Sequence, residues 1–389
     1  MTEAKTLFPH ESGAGEAAAA PTPRTGILPY QQIRVMLREH EIVPLGDEIR
    51  PDQVQPASLD LRLGRTAYRV RASFLPGRNG SVMDRIEQLD GYAIDISAGA
   101  VLEKGCVYVV PLMERLDLSG AGALTGFANP KSSTGRLDIL TRLMCDRSEA
   151  FDQVERGYRG PLYIEIAPRT FSIVVRAGSR LNQVRFRRGS PQVAVSEIQR
   201  LHEEGQLVTS PDERPNLREK LVGVTIDLEG GGAGSLIGYR ANKHTDRIDI
   251  DRLGHYEPME FWEPLYFRRH ASLVLDPNEF YILVTREAVR VPPDYAAEMV
   301  AYDTAVGEFR VHYAGFFDPG FGWDGAGGAC KAVLEVRSHE VPFMLEHGQT
   351  VGWLRYERMM ARPDRLYGAA IGSTYVNQGL ALAKQFRRP

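Results

Sequence analysis

The stretch VLEKGCVYVV at residues 101–110 returns later in the chain as VLDPNEFYIL at residues 274–283. Aligning the two stretches at an offset of 173 places Tyr108 on Tyr281. Each stretch is rich in Val, Ile, Leu and Tyr and contains a turn residue such as Gly, Pro or Asp, which is typical of a β-strand. A strand segment that occurs twice predicts a β domain that is present in two copies.

Two further blocks recur in the same order. LYIEI at 162–166 matches AVLEV at 332–336, and VVRAGSRLNQVRF at 174–186 matches MLEHGQTVGWLRY at 344–356, both at an offset of 170. The alternative is that two unrelated β domains share apolar runs bounded by Gly. Three blocks in one order at a nearly constant offset favour an internal duplication.

The remaining apolar segments share this strand pattern and predict a mainly β sandwich or barrel with a few short helices. The pattern from Pro29 onward places Ile33, Met36 and Leu37 at helical spacing, which predicts one short amphipathic helix.

The composition also divides the chain. Residues 1–26 hold almost no large apolar side chains and predict a disordered tail. A charged stretch followed by a glycine run predicts a linker at 201–235, between a first domain at 27–200 and a second at 236–389.

The overall composition narrows the class of protein. The 389 residues suffice for two or three domains, and a net charge of -3 offers no general attraction to nucleic acid or to a membrane. Three widely spaced cysteines favour a reducing cytoplasm over a disulfide framework. The P-C-x-x-C element of zinc deaminases and the H-E-x-x-H spacing are absent, so we expect no metal site.

The segment PKSSTGR at 130–136 gathers two cations and two serine hydroxyls within six residues, namely Lys131, Ser132, Ser133 and Arg136. Such a cluster suits a triphosphate, because the guanidinium can donate two parallel hydrogen bonds to an anion. On composition alone, a solvated serine-rich turn with two surface cations is the alternative.

Three segments of the first half resemble the dCTP deaminase and dUTPase superfamily: QPASLDLRLG at 55–64, PKSSTGR at 130–136, and GYRGPLYIEI with the following RAGSRLNQVRF. The resemblance covers most of 29–190 and, more weakly, 270–379. It implies tandem dUTPase-like domains of the β-clip or distorted-barrel type. It also implies metal-independent hydrolysis of dCTP to dUTP and ammonia, with a glutamate as general acid and base.

The resemblance gives roles to residues of the first half. The Ser-Ser-x-x-Arg element would bind phosphates, and Ser132 and Arg136 would also orient the catalytic glutamate. Glu165 stands at the position of that glutamate, although a carboxylate in an alternating strand usually faces solvent.

The second half matches other parts of the family pattern. FFDPGFG at 316–322 resembles the I-D-P-G-W-x-G turn, so Asp318 would accept a hydrogen bond from the 3'-hydroxyl of the deoxyribose. Glu335 matches the catalytic glutamate, and Ala314 matches the residue whose carbonyl holds the attacking water.

Each half lacks what the other keeps. Where the first half has its phosphate element, the second has Ala305, Val306 and Phe309. We therefore expect one composite site, with Glu335 as the acid and base and the phosphate element supplied by the first half.

The C-terminal segment YGAAIGSTYVNQG at 367–379 resembles the tail that covers the nucleotide in this superfamily. Tyr367, Tyr375 and Gln378 fall on matching positions, whereas Thr374 replaces the lysine of the pattern.

Two other functions stay open: a dUTPase or bifunctional deaminase and diphosphatase, and a nucleotide-binding regulator without catalysis. The resemblance further implies Mg²⁺ only as the counterion of the triphosphate, dTTP as a feedback inhibitor, and a homo-oligomer.

Overall fold

The computed structural model describes residues 25–205, 207–209, 216–267, 269–300, 315–323, 330–338, 340–368, 371–373, 375 and 378–388, and the backbone of 309–312. Most of the predicted tail, residues 1–24, lies outside this range. The helices of the described part are all short: α1 (Tyr30–Arg38), α2 (Val82–Gln88), α3 (Ser132–Gly135), α4 (Val195–Glu203) and α5 (Pro258–Phe261), with one 3-10 turn at Pro51–Gln53. The helix predicted after Pro29 is confirmed as α1.

Strands dominate, as the apolar pattern predicts. Those of the first half are β1 (Gly26–Ile27), β2 (Ile42–Pro44), β3 (Leu59–Leu61), β4 (Thr66–Val70), β5 (Tyr92–Asp95), β6 (Ala100–Leu102), β7 (Val107–Asp117), β8 (Leu124–Pro130), β9 (Ile139–Cys145), β10 (Gln153–Val154), β11 (Arg159–Pro168), β12 (Ile173–Val175) and β13 (Asn182–Arg188). Those of the second half are β14 (Val208–Thr209), β15 (Leu217–Arg218), β16 (Leu221–Thr225), β17 (Leu236–Ala241), β18 (Ile248–Asp249), β19 (Trp262–Tyr266), β20 (Ser272–Leu275), β21 (Phe280–Val289), β22 (Tyr295–Val300), β23 (Phe309–His312), β24 (Phe316–Phe317), β25 (Cys330–Ser338), β26 (Phe343–Glu346) and β27 (Thr350–Arg358).

The strand order of the first half is repeated in the second. One sheet runs β5-β4-β7-β11-β9 with β2 on β7, and its counterpart runs β19-β17-β21-β25-β23 with β14 on β21. Another runs β1-β13-β8-β10 with β3 on β13, and its counterpart runs β15-β16-β27-β22-β24. The smaller pairing of β6 with β12 recurs as β20 with β26. The two halves are therefore copies of one mainly β domain, as the sequence repeat predicts.

The strand register is also duplicated. Val109 lies opposite Glu165 between β7 and β11, and Ile282 lies opposite Glu335 between β21 and β25. These positions differ by the offsets of 173 and 170 seen in the sequence. The structure therefore confirms the predicted repeat.

A side-chain hydrogen bond repeats as well. The Tyr108 hydroxyl accepts the backbone N–H of Glu103 at 3.0 Å, and the Tyr281 hydroxyl accepts that of Asp276 at 3.0 Å. Both tyrosines are buried, where water is not available as a hydrogen-bond partner. The backbone N–H supplies that partner to the hydroxyl oxygen. This shared requirement explains why the tyrosine is present in both copies.

The segment predicted as a linker, 201–235, includes β16, which pairs with β27 within the second half. The Thr225 N–H donates to the buried carboxylate of Glu287 at 2.7 Å, and the Arg62 N–H donates to Glu114 at 2.8 Å in the first half. This segment is therefore more than a connection between the domains. It contributes the strand β16, which is the counterpart of β3 in the second half. The residues at which the domains divide remain a prediction.

An aromatic cluster joins the two halves. The Phe171 ring packs edge-on against Phe261 at 5.9 Å and Trp262 at 5.4 Å, and Phe386 lies 5.5 Å from Phe261. Beside it, β18 of the second half pairs in parallel with β12 of the first. Buried aromatic side chains contribute much of the apolar contact in a protein core, so this cluster fixes the second half and the C-terminal segment against the first.

Candidate active site

A cavity of about 290 Å³ is lined by residues of both halves. Nine of the predicted site residues line it: Lys131, Ser132, Ser133 and Arg136 from the first half, and Asp318, Glu335, Tyr367, Tyr375 and Gln378 from the second. The structure thus brings together side chains that are about 200 residues apart in the sequence.

The phosphate element forms the short helix α3 and its flanks. Ser132 is exposed, whereas Ser133 and Arg136 are buried. The Ser133 hydroxyl is 2.7 Å from the hydroxyl of Tyr375, which belongs to the C-terminal segment. Ser132 is therefore the hydroxyl of this pair that is free to meet a ligand in the described part, and Ser133 holds the C-terminal segment in place.

Arg136 is fixed on several sides. Its Nη2 donates to Gln378 Oε1 at 3.0 Å, and its Nη1 donates to the carbonyl of Ala381 at 3.0 Å. The guanidinium carbon lies 3.8 Å from the centre of the Tyr375 ring, which adds a cation–π contact. Its Nε, buried and without a hydrogen bond in the described part, lies 4.0 Å from Glu335 Oε1. The guanidinium therefore presents this edge to the carboxylate.

Glu335 projects from the middle of β25, between apolar neighbours, and only 7% of its surface is exposed. Burial raises the pKa of Glu335 to about 8, although the positive charge of Arg136 opposes this shift. Burial penalises the charged form of a carboxylic acid, so the group binds a proton at a pH where an exposed glutamate has lost it. A carboxyl group that titrates near neutral pH is suited to both accepting and donating a proton.

Asp318 follows the short strand β24 and forms one wall of the cavity. Its Oδ1 accepts a hydrogen bond from Arg185 Nη2 at 3.0 Å, and the same guanidinium stacks 4.0 Å from the Phe316 ring. Burial raises the pKa of Asp318, and the charge of Arg185 opposes the shift. Arg185 comes from β13, so the first half holds the turn of the second half in place.

The C-terminal segment closes another side of the cavity. The Tyr367 hydroxyl accepts the backbone N–H of Tyr375 at 3.3 Å, and the Tyr375 hydroxyl accepts that of Lys384 at 3.1 Å. The Gln378 carbonyl accepts the backbone N–H of Lys331 at 3.2 Å. These bonds tie the segment to itself and to β25, next to Glu335.

Several residues that line or support the cavity were not identified from the sequence. Asp60 has both carboxylate oxygens 2.5 Å from Lys131 Nζ, although it lies within the quoted stretch QPASLDLRLG. Arg185 and Lys384 also escaped notice. A charged residue flanked by Val184 and Phe186 within a strand was an available signal for Arg185, because charge at a buried strand position requires a partner.

Glu165, the other candidate base, lies away from this cavity. It is 1% exposed, and its Oε1 is 2.5 Å from Arg142 Nη2. Arg142 also donates to the Ser73 hydroxyl and stacks on the Phe151 ring at 3.8 Å. The first-half carboxylate is therefore bound to an arginine that is itself held in place.

Four residues of the sequence argument, Ala305, Val306, Ala314 and Thr374, lie outside the described residues, and Phe309 is described in its backbone only. The loss of the phosphate element from the second half accordingly remains a prediction. Among the described residues, no three His, Cys, Asp or Glu side chains are grouped so that they could hold a metal ion. No helix in that same part combines the length and the apolar character needed to cross a membrane.

The fold and this cavity define a dUTPase-like β protein whose two copies line one cavity. Family models described as the N-terminal and C-terminal domains of 2'-deoxycytidine 5'-triphosphate deaminase match residues 24–190 and 194–386. The chain belongs to the dCTP deaminase family.

Individual relatives agree with this assignment. The crystal structure of 2'-deoxycytidine 5'-triphosphate deaminase from Agrobacterium tumefaciens is 55% identical, covers 88% of this chain and 100% of its own, and superposes with a TM-score of 0.83. A "dCTP deaminase, dUMP-forming" from Methanopyrus kandleri is 29% identical over 49% of this chain and 93% of its own. A dCTP deaminase from Natronomonas pharaonis is 28% identical over 47% of this chain and 88% of its own. Those two relatives match about half of this chain, which fits one chain built from two copies.

Proposed function

We propose that this protein is an enzyme that hydrolyses dCTP to dUTP and ammonia in the cavity between its two copies. The observation that carries the proposal is the buried Glu335 carboxyl, with its pKa raised to about 8, 4.0 Å from the fixed guanidinium of Arg136. The Agrobacterium tumefaciens relative, which is 55% identical, is named for this substrate and this reaction.

In the proposed reaction the oxygen of water attacks C4 of the cytosine, and the C4–N3 double bond opens. Glu335 accepts one proton from the water and passes it to N3. The second proton of the water goes to the exocyclic nitrogen, the C4–N4 bond breaks with its electrons on nitrogen, and ammonia leaves as the C4 carbonyl forms. Arg136 stabilises the Glu335 carboxylate while the carboxyl is deprotonated. By resemblance the carbonyl of Ala314 would hold the water.

The rest of the nucleotide would occupy the remaining walls. Lys131 and Ser132 would contact phosphates, with Ser133 and Arg136 supporting them, and Asp318 would accept a hydrogen bond from the 3'-hydroxyl. Tyr367, Tyr375 and Gln378 would cover the bound nucleotide. Mg²⁺ would enter with the triphosphate as its counterion, since no step of the proposed reaction passes through a metal ion.

The test is a coupled assay that measures ammonia and pyrophosphate separately on dCTP. We expect the purified protein to release one ammonia per dCTP, and Glu335→Gln to lose the activity by roughly 10²–10⁴-fold, which is typical for the loss of a general acid or base. A wild-type protein that binds dCTP but releases no ammonia would instead be a nucleotide-binding regulator.

A second candidate function is a bifunctional deaminase and diphosphatase. It is favoured by the name of the Methanopyrus kandleri relative, which describes a dUMP-forming enzyme. The same assay separates the two, because only the bifunctional enzyme releases pyrophosphate in proportion to ammonia.

We further infer a homo-oligomer in the cytoplasm, inhibited by dTTP. None of the three cysteines forms a disulfide in the described part of the chain, which is in keeping with a reducing compartment. Light scattering of the active protein tests the assembly, and a strictly monomeric mass with full activity would contradict it.

A further inference from the structure

Three cationic side chains line the cavity: Lys131, Arg136 and Lys384. The first two already have anionic or polar partners. Lys131 is bound by both oxygens of Asp60, and Arg136 donates to Gln378 and Ala381. Lys384 Nζ has no hydrogen bond or ion pair in the part of the chain that the structure describes. In the described part of the chain, Lys384 is therefore the one cation of the cavity that has no hydrogen-bond or ion-pair partner.

The environment of this ammonium disfavours its charge. Burial lowers the pKa of Lys384, the positive charge of Lys131 lowers it further, and the carboxylate of Asp60 acts in the opposite direction. A cation in such a place gains most from an anion that supplies the missing partner. A ligand with several negative charges would provide one.

The backbone of Lys384 is held firmly. Its N–H donates to the Tyr375 hydroxyl at 3.1 Å, and its carbonyl accepts the N–H of Gly254 at 3.0 Å. The next residue, Gln385, is 2% exposed and donates to the carbonyl of Ile250 at 2.7 Å. The side chain is thus presented to the cavity by an anchored segment and not by a frayed terminus.

The tail segment 367–378, which closes the cavity, contains no lysine or arginine. Lys384 is the first cation of the chain after that segment. The charge that this part of the chain contributes to the cavity therefore comes from Lys384.

We propose that Lys384 binds the outer phosphates of the nucleotide and makes the site select a triphosphate over a monophosphate. This inference deepens the proposed function and rests on it for the identity of the nucleotide. The chemistry recognised is a chain of phosphates, which an uncommitted ammonium meets as a point charge.

The kinetic test compares dCTP with dCMP for Lys384→Met, Lys384→Arg and the control Lys104→Met, which removes an exposed lysine elsewhere. Hydrogen bonds to charged groups correspond to roughly 10- to 100-fold in affinity. We expect Lys384→Met to raise the KM for dCTP by that factor, with kcat changed less than KM and the KM for dCMP unaltered. Lys384→Arg should recover most of the loss, and Lys104→Met should match the wild type.

Two kinetic outcomes would overturn the proposal. One is a wild-type KM for dCTP in Lys384→Met. The other is an equal rise of KM for dCTP and dCMP, which would place the contact away from the outer phosphates. Thermal melting of each variant checks that the fold is retained.

A binding test does not depend on deamination. Calorimetry with inorganic tripolyphosphate should show binding to the wild type and to Lys104→Met, and at least tenfold weaker binding to Lys384→Met. Binding that depends on Lys384 in a protein releasing no ammonia would support this inference while the proposed function fails. Deamination by the wild type with equal tripolyphosphate binding in Lys384→Met would overturn this inference alone. A protein that neither deaminates dCTP nor binds tripolyphosphate would overturn both.

Discussion

Arg136 and Glu335 belong to different copies of the domain, yet their Nε and Oε1 atoms lie 4.0 Å apart in one cavity. The corresponding glutamate of the first copy, Glu165, is held instead by Arg142 at 2.5 Å. One carboxylate thus faces a cavity that has room for a ligand, and the other is occupied by a neighbouring side chain. The duplication supplies two glutamates, but the structure joins only one of them to the phosphate element.

The Arg142–Glu165 pair is expected to stabilise the folded protein and to have little effect on catalysis. Arg142→Met would leave the Glu165 carboxylate buried and unpaired, which should lower the free energy of unfolding by roughly 3 kcal/mol while kcat on dCTP stays within about twofold. Urea unfolding measures the first quantity. Arg78→Met is the control, because the Arg78–Glu149 pair is exposed to solvent and its loss should leave the free energy of unfolding nearly unchanged. A large loss of kcat with unchanged stability in Arg142→Met would contradict this assignment.

The raised pKa of Glu335 makes a prediction about pH. The carboxyl keeps its proton up to about pH 8 in the folded chain but loses it near its ordinary value of 4.5 when unfolded. The folded state therefore binds more protons between these values, so this group lowers the free energy of unfolding as pH rises through the window.

The Glu335→Gln variant has no ionisable group at this position, so its free energy of unfolding should not fall in this way as pH rises. Between pH 5 and pH 8.5, its free energy of unfolding relative to wild type should rise by roughly 2 kcal/mol or more. Urea unfolding at the two pH values measures the difference, and a difference that is independent of pH would show that the pKa is not raised.

Asp318 is predicted to recognise the sugar. Asp318→Asn should lower kcat/KM on dCTP by roughly 10- to 100-fold. On 2',3'-dideoxy-CTP, which lacks the hydroxyl, the wild type should already be slow, and the variant should lose little more. Equal losses on both substrates would mean that Asp318 acts only through its bond to Arg185.

The proposed proton transfers require no bound transition metal. Treatment with a chelator, followed by Mg²⁺ alone, should leave the rate of ammonia release within about twofold of the untreated protein, because Glu335 activates the water without a Lewis acid. Zinc at one ion per chain whose removal abolishes activity would refute this mechanism.

Much of the fold was readable from local pattern. The repeated strands and the helix α1 followed from apolar periodicity and from the offset, and the pairing of the first-copy phosphate element with Glu335 followed from the resemblance to the dCTP deaminase and dUTPase superfamily. These features are local or are duplicated in the sequence. A pattern that is duplicated in the sequence can be recognised without knowing the tertiary contacts.

The features that escaped the sequence depend on contacts between the copies. The sequence marks Arg185 only as a charge within an apolar strand, and its partner Asp318, 3.0 Å away, belongs to the other copy. Lys384 lies beyond the tail pattern and enters the cavity only because the segment around Phe386 packs on the aromatic cluster. The strand β16 pairs with β27 through backbone hydrogen bonds, which many different sequences can form. Its sequence therefore need not resemble that of β3, and the correspondence was not recognised from the sequence.

The central claim is that one site is built from both copies, and the rates of Glu335→Gln, Glu165→Gln and Arg136→Ala on dCTP test it most directly. The account predicts a loss of roughly 10²–10⁴-fold for Glu335→Gln and a comparable loss for Arg136→Ala, with the double variant little worse than either single one. Glu165→Gln should keep most of kcat. A dead Glu165→Gln beside a fully active Glu335→Gln would contradict the account, because the first copy alone would then be the enzyme.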